Sequence, residues 1–193
     1  TAVGVDSRPA PDLTRLVCAR AAALRPQPAS RVDTLDRLVA GMVDQELVEL
    51  TYASFEGKEM TLVVEPLTLV FDDFGLHVIA RGVIGDDAAE SRLHTFRLYA
   101  VSRILACTAT DKSFHYPPSD EYDPRTLFAN CFGLFLPPPG SEPEEVELRF
   151  SSGWRTYLQH TQLHPSQTHS QNANGQATLK LRLHVTLDLV QWL

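Results

Sequence analysis

The sequence predicts a mainly β chain: a small, strongly bent antiparallel β-barrel with an α+β unit attached after it. Three observations carry that expectation. Between Leu47 and Cys107, short segments alternate apolar and polar residues with the period of two that marks a half-buried strand. Tight turn signals join these segments with no helix between them, and a parallel sheet would need long crossovers. After residue 144, strand-like and helix-like patterns succeed one another.

Residues 1–32 read as an N-terminal tail and linker helix. Residues 1–11 are small, polar and Pro-containing. Leu13, Leu16, Val17 and Leu24 approach helical spacing, with Asp12 as a cap, and Pro26 and Pro28 stiffen the linker after that helix. The barrel unit spans 33–112. Ser30 or Asp33 caps a helix whose apolar stripe is Leu35, Leu38, Val39 and Met42. Val48, Leu50 and Tyr52 then share a face, opposite Glu49 and Thr51. The turn Phe55-Glu56-Gly57-Lys58 leads to Met60, Leu62 and Val64 on alternate positions. Pro66 cannot donate to a ladder, so it marks an edge, a bend or a strand break. Leu67–Phe71 resumes the apolar run, and Asp72-Asp73-Phe74-Gly75 is a hairpin signal before Leu76–Arg81. Gly82–Ser91 reads as a polar loop. Thr95–Tyr99 and Arg103–Thr108 supply the last strands of a barrel expected to hide its own edges.

Residues 113–143 read as a linker. Ser113–Tyr122 is Pro- and aromatic-rich. Asp123 caps a short helix from Pro124 to about Asn130, Cys131–Leu136 suits a strand, and Pro137-Pro138-Pro139 closes it. The α+β unit spans 144–193. Val146–Phe150 is a strand, and 152–160 a helix carrying Trp154, Tyr157 and Leu158 with Ser151 or Ser152 as cap. Asn174-Gly175 is a hairpin turn. Leu179, Leu181, Leu183 and Val185 share one strand face, and Leu187–Leu193 starts a helix. Strand, helix, strand, strand, helix fits a ferredoxin-like unit lacking its last strand.

Several polar side chains fall near strand ends. Tyr52 and Ser54 share a parity. His77 shares a face with Ile79 and Arg81, Arg97 alternates with Phe96 and Leu98, and Arg103 precedes the final apolar run. If the strands close, Tyr52, Ser54, His77 and Arg103 converge at one rim. Two hydroxyls, an imidazole and a guanidinium suit a phosphate or a base edge, because Arg forks onto phosphate and Tyr stacks or donates. By itself His77 reads either as a satisfied structural histidine or as a pocket group, and Arg97 either as a pocket group or as an ion-pair partner of Glu65. The set lacks the paired carboxylates or nucleophile–base pair that catalysis requires, so an enzyme is not expected. Asp72 and Asp73 read as turn residues. His160, His164 and His169 have no nearby Cys or paired acid and are broken by Pro165, so they read as solvated histidines, and no metal or cofactor is expected. Trp154 and Trp192 read as core or interface.

Composition narrows the classes further. A net charge of −7 argues against a free-standing nucleic-acid binder. Cys18, Cys107 and Cys131 have no paired spacing and read as reduced thiols of a cytoplasmic protein. No apolar run reaches the ~18 residues of a membrane span, and no signal layout opens the sequence.

The segments Val48–Ser54, Glu65–Val70, Leu76–Arg81 and Arg97–Ile104, in that order, resemble the WYL domain of bacterial transcriptional regulators. Tyr52, Ser54 and His77 look most like the branch found in regulators of phage-defence islands, in which Trp-His replaces Trp-Tyr. Val146–Phe150, His164–Gln167 and Val190–Leu193 resemble WCX, the extension that usually comes after a WYL domain. Together the resemblance covers residues 33–193. It implies an SH3/Sm-like barrel that senses a nucleotide-like or short single-stranded nucleic-acid effector, a homodimer, and promoter DNA bound through an N-terminal winged helix-turn-helix that is not seen here. The helix expected at 13–24 then reads either as the last helix of that DNA-binding unit or as a linker, and the chain reads as a fragment. It departs from the pattern at Leu76, where the Trp of the name stands, at His77, in place of its Tyr, and at Ile79, in place of an arginine, though Arg81 stands two residues on and joins Arg97 among the candidate ligand-binding groups. Those departures keep a second reading open, a structural dimerisation or protein-interaction module with a degenerate pocket.

Overall fold

A computed structural model describes residues 17–19, 32–72, 75–83, 95–171 and 176–193. The chain divides into two compact units, with the division between Pro124 and Arg125.

The first unit is built on one antiparallel sheet. Its strands are β1 (Val17–Ala19), β2 (Glu46–Ala53), β3 (Glu59–Asp72), β4 (Gly75–Gly82), β5 (Phe96–Ala100) and β6 (Ile104–Ser113). Their order is β5-β4-β3-β2-β6, with β1 lying parallel against β3 through Val17–Leu69 to Ala19–Phe71. Among the described residues β5 and β6 are not paired, so the sheet is bent but open rather than the closed barrel the sequence predicts. The turn between them, a 3-10 turn at Val101–Arg103, carries the chain from one edge to the other without a ladder.

The bend resides in β3. Its first half pairs with β2 up to Val64–Val48, and its second half with β4, with a register shift between Pro66 and Thr68. Pro66 is thus an irregularity inside one long strand and not a strand break. It sits where pairing to β2 has ended and pairing to β1 has not begun, a place where a missing N–H is tolerated. Helix α1 (Val32–Asp44) packs on β2, β3 and β6. Thr34, Leu38, Gly41 and Met42 are its buried stripe, with Leu35 partly covered, whereas Val39 is exposed and leaves the expected stripe. The core they cover includes Val48, Leu50, Tyr52, Val64, Leu76, Val78, Ala80, Tyr99 and Ile104.

Gly41 explains how closely α1 approaches. A Cβ there would lie 2.9 Å from Val48 Cγ1 and 3.1 Å from both the Glu46 carbonyl oxygen and Pro66 Cγ. Gly41→Ala therefore destabilises the unit by ~1 kcal/mol or more, although alanine is worth about 1 kcal/mol in an isolated helix, because overpacking wins. Urea unfolding of wild type and variant checks the sign.

Residues 114–122 run against β3 and β5. Tyr122, only 2% exposed, donates its hydroxyl hydrogen bond to Thr68 Oγ1 at 2.7 Å, and its ring lies 4.7 Å from that of Phe96. Tyr116 donates to the Leu67 carbonyl at 3.2 Å. Gln45 anchors the start of the segment: its carbonyl accepts from Phe114 N and its side-chain oxygen from Tyr116 N.

Helix α2 (Pro124–Leu127) spans the division and is shorter than the expected helix to Asn130. Cys131 makes one isolated parallel bridge with His184, and the expected strand Cys131–Leu136 does not form. Next come β7 (Glu144–Phe150), a 3-10 turn Ser152–Trp154, α3 (Arg155–His160), β8 (Thr168–Gln171), β9 (Ala177–Leu183) and α4 (Leu187–Trp192). Neither Ser151 nor Trp154 caps its helix with a side-chain bond. The sheet order is β7-β9-β8, antiparallel throughout. Leu148, Leu179, Leu181, Leu183 and Leu189 form its core, and Val185 lies outside it, exposed. Trp154 and Trp192 are both half exposed, Trp192 against Phe132 and Phe150. Asp188 is buried and accepts from Thr186 Oγ1, Leu189 N and Phe135 N.

Val17–Ala19 form a strand where the sequence predicts helix. The rest of that expected helix lies outside the described residues, as do Ser30, the tip of the Asp72–Gly75 hairpin, most of the 82–91 loop and the Asn174-Gly175 turn.

Candidate functional site

The site sits at the end of the first sheet where β2, β4 and the 3-10 turn meet. A register shift between Thr51 and Tyr52 places Tyr52 opposite Ile104 on β6, beside the residue that ends the 3-10 turn, Arg103. Tyr52 is buried. Its hydroxyl oxygen accepts from Ala100 N at 3.3 Å, and its ring meets that of Tyr99 edge-on at 5.2 Å. The phenol is therefore held as a wall whose face remains for Arg103.

The Arg103 guanidinium lies over two rings, 4.9 Å from the centre of Tyr52 and 3.9 Å from that of Phe55. Such stacking is worth ~0.5–1 kcal/mol at an exposed site and ~2 when desolvated, and it leaves the in-plane N–H groups to other partners. Among the described residues Arg103 forms no salt bridge.

Phe55 is supplied by a tight turn. Ser54 N donates to the Lys58 carbonyl at 2.8 Å, Gly57 N to the Ser54 carbonyl at 3.0 Å, and Lys58 N to Ser54 Oγ at 3.0 Å. Gly57 has a φ of 77°, which an L side chain rarely adopts. Ser54 thus uses its oxygen to hold the turn that presents Phe55.

His77 pairs across the sheet with Ala100, the residue whose N–H meets Tyr52. Its Nδ1 lies 3.3 Å from the Gly75 carbonyl and 3.6 Å from Asp72 Oδ1. A carbonyl only accepts, so the neutral ring carries its proton on Nδ1 and keeps Nε2 as an acceptor. Burial lowers the His77 pKa from its ordinary value. Asp72 and the Gly75 carbonyl oppose that shift, and the Arg103 charge adds to it. A lowered pKa means that the folded state disfavours the proton. Stability from this group is complete above the unfolded pKa and is lost as pH falls through the folded pKa. His77→Gln should therefore flatten the decline in stability below about pH 6.5, which thermal melts across a pH series would show.

The structure brings Tyr52 and Arg103 into contact, puts His77 within the field of Arg103, and uses Ser54 to shape the adjoining turn. It does not bring in the other two arginines. Arg81 pairs with Glu65, its neighbour across the ladder, and with Glu121 of the 114–122 segment. Glu65 thus has Arg81 as a partner, where the sequence suggested Arg97. Arg97 is exposed on the edge strand β5, opposite Ala80. Phe55 and Asp72 were missed as site residues. Phe55 could have been noticed as a lone aromatic at a turn position, whereas Asp72 looks like any hairpin acid.

Among the described residues no group of three or more His, Cys, Asp or Glu could hold a metal. His164 is buried, with Nδ1 2.7 Å from Ser166 Oγ, and is not the solvated residue expected. Burial pushes the Cys107 thiol up to about 11 against the opposing charge of Arg37, so it stays protonated near neutrality. No helix among the described residues is long and apolar enough to cross a membrane.

Fold and geometry define a small bent-sheet module with a cation stacked on aromatic rings at one end. More particularly, residues 33–109 match the family model of the WYL domain. Among solved structures the chain is similar to proteasome accessory factor B/C (PafBC) of Arthrobacter aurescens, at 14% identity and a TM-score of 0.41. That likeness covers 82% of this chain and 22% of the other, so the chain spans under a quarter of the protein it matches. A search of curated proteins finds no match.

Proposed function

We propose that this chain is the ligand-sensing part of a bacterial transcriptional regulator, its WYL domain taking a nucleotide-like or short single-stranded nucleic-acid effector against Tyr52, Ser54, His77 and Arg103. The observation that carries this reading is Arg103, a guanidinium stacked on Tyr52 and Phe55 with no salt bridge among the described residues. A phosphate taken by its N–H edge gains two charge-assisted bonds without any rearrangement of the rings. Arg81, committed to Glu65 and Glu121, serves the fold in this reading.

The strand order β5-β4-β3-β2-β6 supports an SH3/Sm-like ancestry for the sheet, and β7-β9-β8 with intervening helices supports a ferredoxin-like, WCX-type unit. The second unit then transmits the binding event across a homodimer to a DNA-binding part outside this chain, by biasing a two-state arrangement.

A thermal-shift panel of mononucleotides, cyclic dinucleotides and short single-stranded DNA tests the sensor. A ligand at 100 times its Kd stabilises the fold by ~2.7 kcal/mol, a readable shift. No shift with any member would instead favour a protein-interaction module.

A further inference from the structure

In the sensing role Phe55 has so far only one task, to lie against the Arg103 guanidinium. It is 85% exposed, the most exposed large apolar side chain among the described residues. Exposed aromatics usually sit on loose surface, but this one stands on a turn fixed by three hydrogen bonds, two of them closing Ser54 onto Lys58. One face of the ring is covered by the Arg103 guanidinium at 3.9 Å. With so little of the side chain covered, the other face is open to solvent.

We infer that Phe55 is a stacking platform that makes the site selective for ligands joining a flat ring to an anionic group, so that a nucleobase lies on its outer face while the phosphate is held by Arg103. This inference rests on the sensor reading and narrows it. A bare anion would need only the guanidinium and would gain nothing from an exposed ring beside it. A base stacked on an aromatic side chain is stabilised whatever its sequence, because every base has a π face.

The test uses the full chain and its Phe55→Leu and Phe55→Tyr variants, titrated calorimetrically with three probes: a short oligothymidylate, thymidine monophosphate, and inorganic pyrophosphate. Phe55 is too exposed for either substitution to threaten folding. Phe55→Leu should weaken the two base-containing probes about tenfold, through loss of the base–aromatic stack. Phe55→Tyr should restore them, and pyrophosphate should bind all three proteins alike. Equal weakening of pyrophosphate, or no effect on the base-containing probes, would overturn the platform while leaving an anion sensor standing. Failure of wild type to bind any probe would overturn the sensor reading and the platform with it.

Discussion

Arg103→Ala is expected to abolish effector binding, by at least about a hundredfold, and to leave the melting temperature of the free protein within a few degrees of wild type. The binding loss comes from removing both N–H donors that a phosphate would use, since hydrogen bonds to charged groups contribute ~1.5–3 kcal/mol each. The small effect on stability comes from where the side chain sits. Arg103 has no salt bridge among the described residues, and its contacts to Tyr52 and Phe55 lie at the edge of the core. Its loss also removes a positive charge that helps lower the His77 pKa, so the variant should tolerate mild acid slightly better. Paired calorimetry and thermal melts measure both quantities on one preparation. Unfolding of the variant would make Arg103 a structural residue and end the pocket reading.

The largest effect on stability is expected from Leu50→Ala, at ~2–5 kcal/mol. Leu50 is fully buried and sits in the middle of β2, the strand that pairs with both β3 and β6. It packs in the cluster that contains Leu38 and Met42 of α1 and Ile104 of β6, so a cavity there touches the helix and both neighbouring strands. Domain stabilities of ~5–15 kcal/mol make that a large share of the total. Leu105→Ala, on the exposed side of β6, is the control and should stay within about 0.5 kcal/mol. Urea unfolding followed by far-ultraviolet circular dichroism reads both. Trp154 and Trp192 both lie beyond Pro124, so tryptophan fluorescence would report on the second unit only.

Much of the sheet was legible because alternation is a local property. Val48, Leu50 and Tyr52 declare their face within five residues, and so do Leu179, Leu181 and Leu183. Closure is not local. Whether β5 meets β6 depends on how a 3-10 turn spans the sheet, and no residue pattern encodes that. For Pro66 the sequence left edge, bend and strand break open, because a proline without a neighbour on its N–H side costs little; only the strand pairing shows an irregularity inside one long strand, where β1 and β2 leave it such a gap. Val17–Ala19 show tertiary pairing overriding a helical spacing. At the site, Tyr52 and Arg103 were readable from their motif positions, 51 residues apart yet joined by the register of β2 and β6. Arg81 and Arg97 carry the same charge in similar alternating contexts, and the sequence could not tell which had a carboxylate partner. Phe55 escaped because a turn residue is ordinarily discounted as exposed and idle.

The proposed function places a phosphate-bearing effector at the edge of the first sheet, against Arg103. Isothermal titration of a short single-stranded oligonucleotide into the wild-type chain and into Arg103→Ala tests it most directly. Saturable heat with the wild type, absent from a variant that melts at nearly the same temperature, is the predicted result. Equal binding by both proteins would contradict it, because the effector would then be held by something other than the stacked guanidinium.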